Sequence, residues 1–135
     1  MKQFKLTIQT HGRGYALITE NINDIIDIGD IYVGLLHVFL QHSSASLTIN
    51  ENADSTVRED FKNFEEKLVP RDYPYQHCYE GSDDAPAHIK SSLFGCELTI
   101  PIRNGRLDLG TWQGVYLCEH RDNPHHRKIV LTVIH

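Results

Sequence analysis

Cysteine is scarce and unpaired in this sequence: Cys78, Cys96 and Cys118 are the only three in 135 residues, and none forms a CxxC motif. An odd, scattered count argues against a disulfide framework and fits a reducing compartment. Positive charge is also short. Thirteen Lys and Arg stand against 18 Asp and Glu, a formal net charge of -5. That is the wrong sign for a chain that must neutralise many phosphates, so no nucleic-acid partner is expected. Long apolar runs are missing too; stretches such as residues 129–134 fall far below the ~20 residues of a membrane span, so no membrane partner is expected. Met1-Lys2-Gln3-Phe4-Lys5 has no apolar signal region, which points to the cytoplasm. Neither GxxxxGK[ST], GxGxxG nor HExxH occurs.

What the sequence has in excess is histidine, with nine residues. Length and a 40% apolar content allow one domain, residues 1–135, around one ordinary core. Phe4, Leu6 and Ile8 alternate with polar residues as in a half-buried strand, and His11-Gly12-Arg13-Gly14 turns into a second strand over residues 15–18. Thr19 is placed to cap a short helix carrying Ile22, Ile25 and Ile26, closed near Gly29. Residues 31–41 read as a strand apolar on both faces. A polar loop at residues 42–46 leads to a brief strand over 47–49. Val57, Phe61, Phe64 and Leu68 recur at helical spacing after Asn52 or Asp54, until Pro70. Residues 71–83 read as loop, Asp84 and Pro86 open a further helix, and Gly95 closes it. Asn104-Gly105 between alternating runs is a hairpin signal. Residues 115–120 and 128–134 read as a closing pair of strands around Asp122-Asn123-Pro124. This order favours an α+β fold with largely antiparallel sheet. Strands with two apolar faces imply a sandwich or cover by a neighbouring subunit.

His42 and His120 fall at strand ends, His77 in the long loop and His88 at the start of a helix, positions from which side chains converge on a cleft. Neutral imidazoles suit zinc, and three ligands with an open position make a catalytic site. For any single His, a surface position or a hydrogen-bonded structural role is the commoner reading. Asp84 reads either as a helix cap or as a carboxylate that orients a ligand or moves a proton. Ser43, Ser44 and Ser46, with Lys90, Ser91, Ser92 and Arg121, supply hydroxyls and cations for a phosphate or carboxylate. Trp112, between two glycines, reads as core or as the wall of a pocket. Cys118 reads as a small buried residue.

The run His42-Ser43-Ser44-Ala45-Ser46-Leu47-Thr48-Ile49-Asn50-Glu51-Asn52-Ala53-Asp54, residues 80–92, residues 100–107 and the run Gly110-Thr111-Trp112-Gln113-Gly114 through Cys118-Glu119-His120-Arg121 together resemble the YjbQ family, also called the secondary thiamine-phosphate synthase family. The resemblance covers essentially the whole chain, with Ser43 where Thr is common and Ala85 where a larger apolar residue is common. It implies an α+β homotrimer with sheets packed around a threefold axis. It also implies a thiamine-phosphate-synthase-like transferase, weak or secondary, joining hydroxymethylpyrimidine diphosphate to thiazole phosphate. His77, His88 and His120 are the implied ligands of a divalent metal, most favourably zinc, with Asp84, Lys90 and Arg121 as catalytic residues. His42, Ser43, Ser44 and Trp112 would then bind a small phosphorylated metabolite. Because magnesium normally serves diphosphates and prefers oxygen ligands, zinc-dependent hydrolysis of a small substrate stands as the alternative, and a non-catalytic metal or metabolite-binding role as another.

Overall fold

Alternation sets the first strand: in β1 (Lys2–Gln9) every second side chain turns inward, ending on buried Ile8. The computed structural model describes all 135 residues, Met1–His135. After β1 come β2 (Gly14–Leu17), α1 (Thr19–Ile25), β3 (Val33–Leu40), β4 (Ala45–Glu51), α2 (Ser55–Leu68) and α3 (Asp84–Phe94). β5 (Glu97–Arg103), β6 (Arg106–Leu107), β7 (Gln113–Glu119) and β8 (His126–Ile134) follow. All pairings are antiparallel, in a five-stranded sheet of order β1-β8-β3-β5-β6 and a three-stranded sheet of order β2-β7-β4. The expected α+β architecture is the one observed.

The two sheets share one core, in which Leu36, Val38, Ile129 and Leu131 of the larger sheet meet Leu47, Val115 and Leu117 of the smaller. β7 has cover on both sides. Val115, Leu117 and Glu119 share one face, while Tyr116 and Cys118 share the other and His120 continues it. Tyr116 meets Tyr15 and Arg58 on that second face, beneath α2 and α3, which gives three layers: sheet, sheet, helices.

β7 and β8 do not form the closing pair that their proximity in sequence suggests. β7 lies between β2 and β4, and β8 between β1 and β3. The 121–125 turn therefore carries the chain from one sheet to the other, as the segment between β1 and β2 also does. Both central strands gain two paired neighbours this way, which a hairpin between them would have forgone. β3 is buried on one face only, because Leu35 and Phe39 on the other are 43% and 38% exposed. Helix α2 also differs from its apolar pattern: Phe64 and Leu68 are largely exposed, and its one buried residue is Glu65.

Local signals are mostly kept. Asp54 caps α2 by accepting from Thr56 N–H at 2.9 Å, and Gly95, at φ 99°, ends α3. Thr19 is not a cap. Its hydroxyl oxygen accepts from Val115 N–H at 2.9 Å and ties α1 to β7. The β5–β6 turn has Asn104 at φ 51° and Gly105 at φ 77°, the left-handed pair that a tight hairpin requires. A Cβ on Gly105 would also come within 2.8 Å of the Gly29 carbonyl oxygen. Gly105→Ala should therefore lower stability by more than ~1 kcal/mol, read as a shift in the denaturant midpoint with unchanged slope.

Candidate metal centre and the buried network beside it

On α3, residues 84 and 88 are one turn apart and fall on one side of the helix. That spacing brings His88 Nε2 within 3.4 Å of Asp84 Oδ1, while His77, from the loop before α3, brings its Nε2 within 2.5 Å of Asp84 Oδ2. One ligand atom from each of His77, Asp84 and His88 lies within 4.8 Å of the other two. The carboxylate is buried at 1% exposure, whereas the imidazoles are about half exposed. The cluster is thus rooted in the protein and open on one side.

Its surroundings fix it. Only an N–H can bond to a carbonyl oxygen, so His88 Nδ1, 2.7 Å from the Ser43 carbonyl, carries the proton and leaves a lone pair on Nε2 when neutral. Arg121 Nε donates to Asp83 Oδ2 at 2.9 Å and Nη2 to the Glu80 carbonyl at 3.0 Å. Its Nη1 lies 2.9 Å from Asp84 Oδ1 but off the hydrogen-bond axis, so that buried oxygen has no aligned donor. The Asp83 carboxyl is buried in part, which opposes ionisation, yet the Asp122 N–H and Arg121 hold it below the usual range. Asp84 is not a helix cap, because α3 begins at Asp84 itself and the preceding Asp83 spends its side chain on Arg121 and Asp122 N–H. Two imidazoles and a carboxylate whose buried Oδ1 meets Arg121 only off the hydrogen-bond axis fit a divalent ion.

The other expected site residues separate from this cluster. His120 is 1% exposed on the helix-facing side of β7, with Nε2 2.8 Å from Ser46 Oγ and Nδ1 3.9 Å from Glu65 Oε2. The structure therefore places Asp84, and not His120, with His77 and His88. Lys90 is two residues beyond His88, about 200° around α3, and points to Glu65 and Glu66 at 3.6 and 3.7 Å. His42 accepts the Lys128 N–H at 2.8 Å through Nε2, a structural bond. Ser43 and Ser44 contribute carbonyl oxygens, to His88 and Arg127. Trp112 is 66% exposed, and it precedes β7, whereas Ser43 and Ser44 precede β4; antiparallel pairing puts these at opposite ends of the ladder, far apart. It is neither core nor a neighbour of the serines.

Sequence reading missed a second group, centred on Glu65. Its carboxylate accepts from Tyr15 O–H at 2.8 Å and Arg13 Nη1 at 3.1 Å. Burial, with Cys118 and Glu65 adding to it, pushes the Tyr15 hydroxyl far above its ordinary value; burial lifts the Cys118 thiol to about 12. Burial, together with Lys90, Arg127 and Arg13, lowers His120 from 6.5 to about 3. The missed signal was Glu65 itself, one turn after Phe61 and just short of one before Leu68.

A His with its folded pKa pushed down binds its proton more readily when unfolded, so its neutral burial favours folding fully above about pH 6.5 and progressively less below. His120→Gln should therefore flatten the acid side of the stability curve, by about 1 kcal/mol per pH unit between roughly pH 6 and pH 5, in denaturant titrations at each pH. An unchanged slope would refute the buried neutral imidazole.

A family model described as UPF0047 protein YjbQ-like matches residues 4–135. UPF0047 protein YjbQ of Escherichia coli O157:H7 is 48% identical over 132 residues, 97% of this chain and 96% of that protein. UPF0047 protein YugU of Bacillus subtilis is 36% identical over 130 residues, 96% of each. Among solved structures, a conserved hypothetical protein of Thermus thermophilus superposes with a TM-score of 0.86 at 34% identity, over 97% of this chain and 99% of its own. Agreement of sequence and fold over the full length of the domain leaves one assignment: the chain belongs to the YjbQ-like UPF0047 family.

Proposed function

We propose that this chain holds a divalent metal, most favourably zinc, on His77, Asp84 and His88, and uses it in the hydrolysis of a small substrate. The observation that carries the reading is Asp84 Oδ1, buried without an aligned donor between two exposed imidazoles that present Nε2 to the same carboxylate. Nitrogen-rich ligands with one carboxylate suit zinc better than magnesium. An ion there supplies Lewis acidity to a substrate oxygen and eases ionisation of water near neutral pH. Ser43 sets the His88 tautomer, and Arg121 holds the Asp83–Asp84 helix start in place.

Thiamine-phosphate formation draws its support from the family resemblance. Lys90 and Arg121, the cations a departing diphosphate needs, are each already engaged with carboxylates, which favours hydrolysis. A cytoplasmic location is part of the proposal; no helix is long and apolar enough to cross a membrane. So is a homotrimer, which would cover the exposed outer face of β3 at Val33, Leu35 and Phe39. Light scattering at micromolar concentration should then give three times the 15.5 kDa chain mass, and a stable monomer would sink the trimer.

Metal content and turnover test the centre together. Elemental mass spectrometry should find one ion per chain, lost in His77→Ala, His88→Ala and Asp84→Asn and kept in His120→Gln. On a panel of phosphate and carboxylate esters, with thiamine-phosphate formation as a parallel assay, chelation should abolish turnover, and Asp84→Asn should lower it by a factor on the order of 10² or more. Full metal in all three cluster variants would overturn the ligand set. Full metal with no turnover on any substrate would leave a metal-binding role without catalysis.

A further inference from the structure

On the far side of α3 from the metal cluster, a cleft of about 300 Å³ opens between α2, the end of α3 and the outer face of the three-stranded sheet. That is enough for a single ring and its substituents, at the lower end of small-molecule sites. Tyr15, Phe61, Phe64, Leu68 and Phe94 form its walls. Tyr15 and Phe61 meet with ring centroids 5.5 Å apart. Phe64 and Leu68, 66% and 53% exposed, extend the apolar wall to the surface.

Its inner end is polar in a way that packing does not require. Glu65 lines the cleft at 2% exposure, a buried carboxylate among aromatic rings. Tyr15 O–H and Arg13 reach it at 2.8 and 3.1 Å, Lys90 Nζ pairs with it by charge at 3.6 Å, and His120 Nδ1 stands off at 3.9 Å, the last two beyond hydrogen-bond reach. His120 Nδ1 is buried with no partner at all. Glu65, Phe94 and Cys118 each line the cleft and each adjoin His120, by the 3.9 Å approach, by an edge-on ring contact at 5.7 Å and by position on the same face of β7. Buried polar atoms are nearly always satisfied, so an orphaned imidazole nitrogen beside a buried carboxylate that lines an aromatic slot is a place prepared for a donor.

We propose that this cleft is a second binding site, for a flat aromatic ring bearing an amino group. The ring packs between Tyr15, Phe61 and Phe94, and the amino group donates to Glu65 and, with the His120 proton turned to Ser46, to His120 Nδ1. The site does not depend on the metal reading, since α3 separates the two and they share no residue.

Aniline and toluene, alike in size and different in the amino group, are the probes. Each is titrated into the isotope-labelled full-length protein in its native assembly, and backbone amide shifts are followed. Aniline should bind saturably with a Kd on the order of millimolar, usual for so small a ligand, with shifts confined to Tyr15, Thr48, Phe61, Glu65 and Phe94. Toluene should bind roughly tenfold more weakly, the cost of leaving buried acceptors unpaired. Glu65→Gln should remove aniline's advantage and leave toluene unchanged. Because that buried change can disturb folding, Phe64→Ala, at an exposed wall position, should weaken both probes in a folded protein. Excess chelator and His77→Ala should change neither. Equal affinity for the two probes overturns the proposal. So do shifts centred on His77 and His88, absence of saturable binding, or cleft residues shielded by another copy of the chain.

Discussion

At the end of the sandwich where the chain passes from β7 to β8, Glu119 and Arg127 meet in a two-pronged ion pair at 2% and 3% side-chain exposure. Glu119 belongs to the small sheet and Arg127 to the large one. Taking two charges out of water is expensive, and such a pair is tolerated when its remaining capacity is filled. Here Thr10 Oγ1 donates to Glu119 at 2.7 Å, Arg121 N–H donates at 3.2 Å, and Arg127 reaches the Ser44 carbonyl at 3.2 Å. Four segments are thereby pinned at one point. Two of them run directly to the metal cluster, since the residue before Ser44 orients His88 and Arg121 holds Asp83. Geometry at the imidazoles is therefore inherited from a charge pair that touches neither.

Helix α3 then divides the chemistry. One face carries buried Asp84 and half-exposed His88 beside His77, and the opposite face delivers Lys90 to the carboxylates of α2. An eleven-residue helix thus works as a partition, with a hydrophilic centre on one side and an aromatic cleft on the other.

Legibility in the sequence followed the range of the interaction. Asn104-Gly105 and the Asp54 cap were readable because a turn or cap is settled within four residues. Asp84 and His88 were within reach for the same reason, as their one-turn spacing fixes a shared face. His120 was misplaced because alternation along β7 shows that it shares a face with Cys118, and no local feature tells that this face looks at Glu65. The β7–β8 pairing failed likewise: two alternating strands joined by a short turn satisfy the hairpin pattern, and only the competing partners β1, β2, β3 and β4 decide against it. Glu65 was hidden by its chemistry, since a carboxylate in an apolar stripe reads as a solvated residue until the partners that satisfy it are in view.

The position of β8 has a kinetic meaning. It is the last of the eight strands along the chain, yet it sits inside the larger sheet, pairing β1 on one edge and β3 on the other. β1 and β3 both precede it along the chain, and in the finished sheet they stand one strand apart. Until β8 arrives, each carries an unsatisfied edge that another nascent chain could occupy. The loop closed by β1 and β8 spans nearly the whole chain, so the pairing is among the most non-local available and correspondingly slow. All three strands of the smaller sheet, β2, β4 and β7, precede β8 along the chain. Completion of the larger sheet therefore waits on the last of its strands to be made, and rests on the least local pairing in the fold.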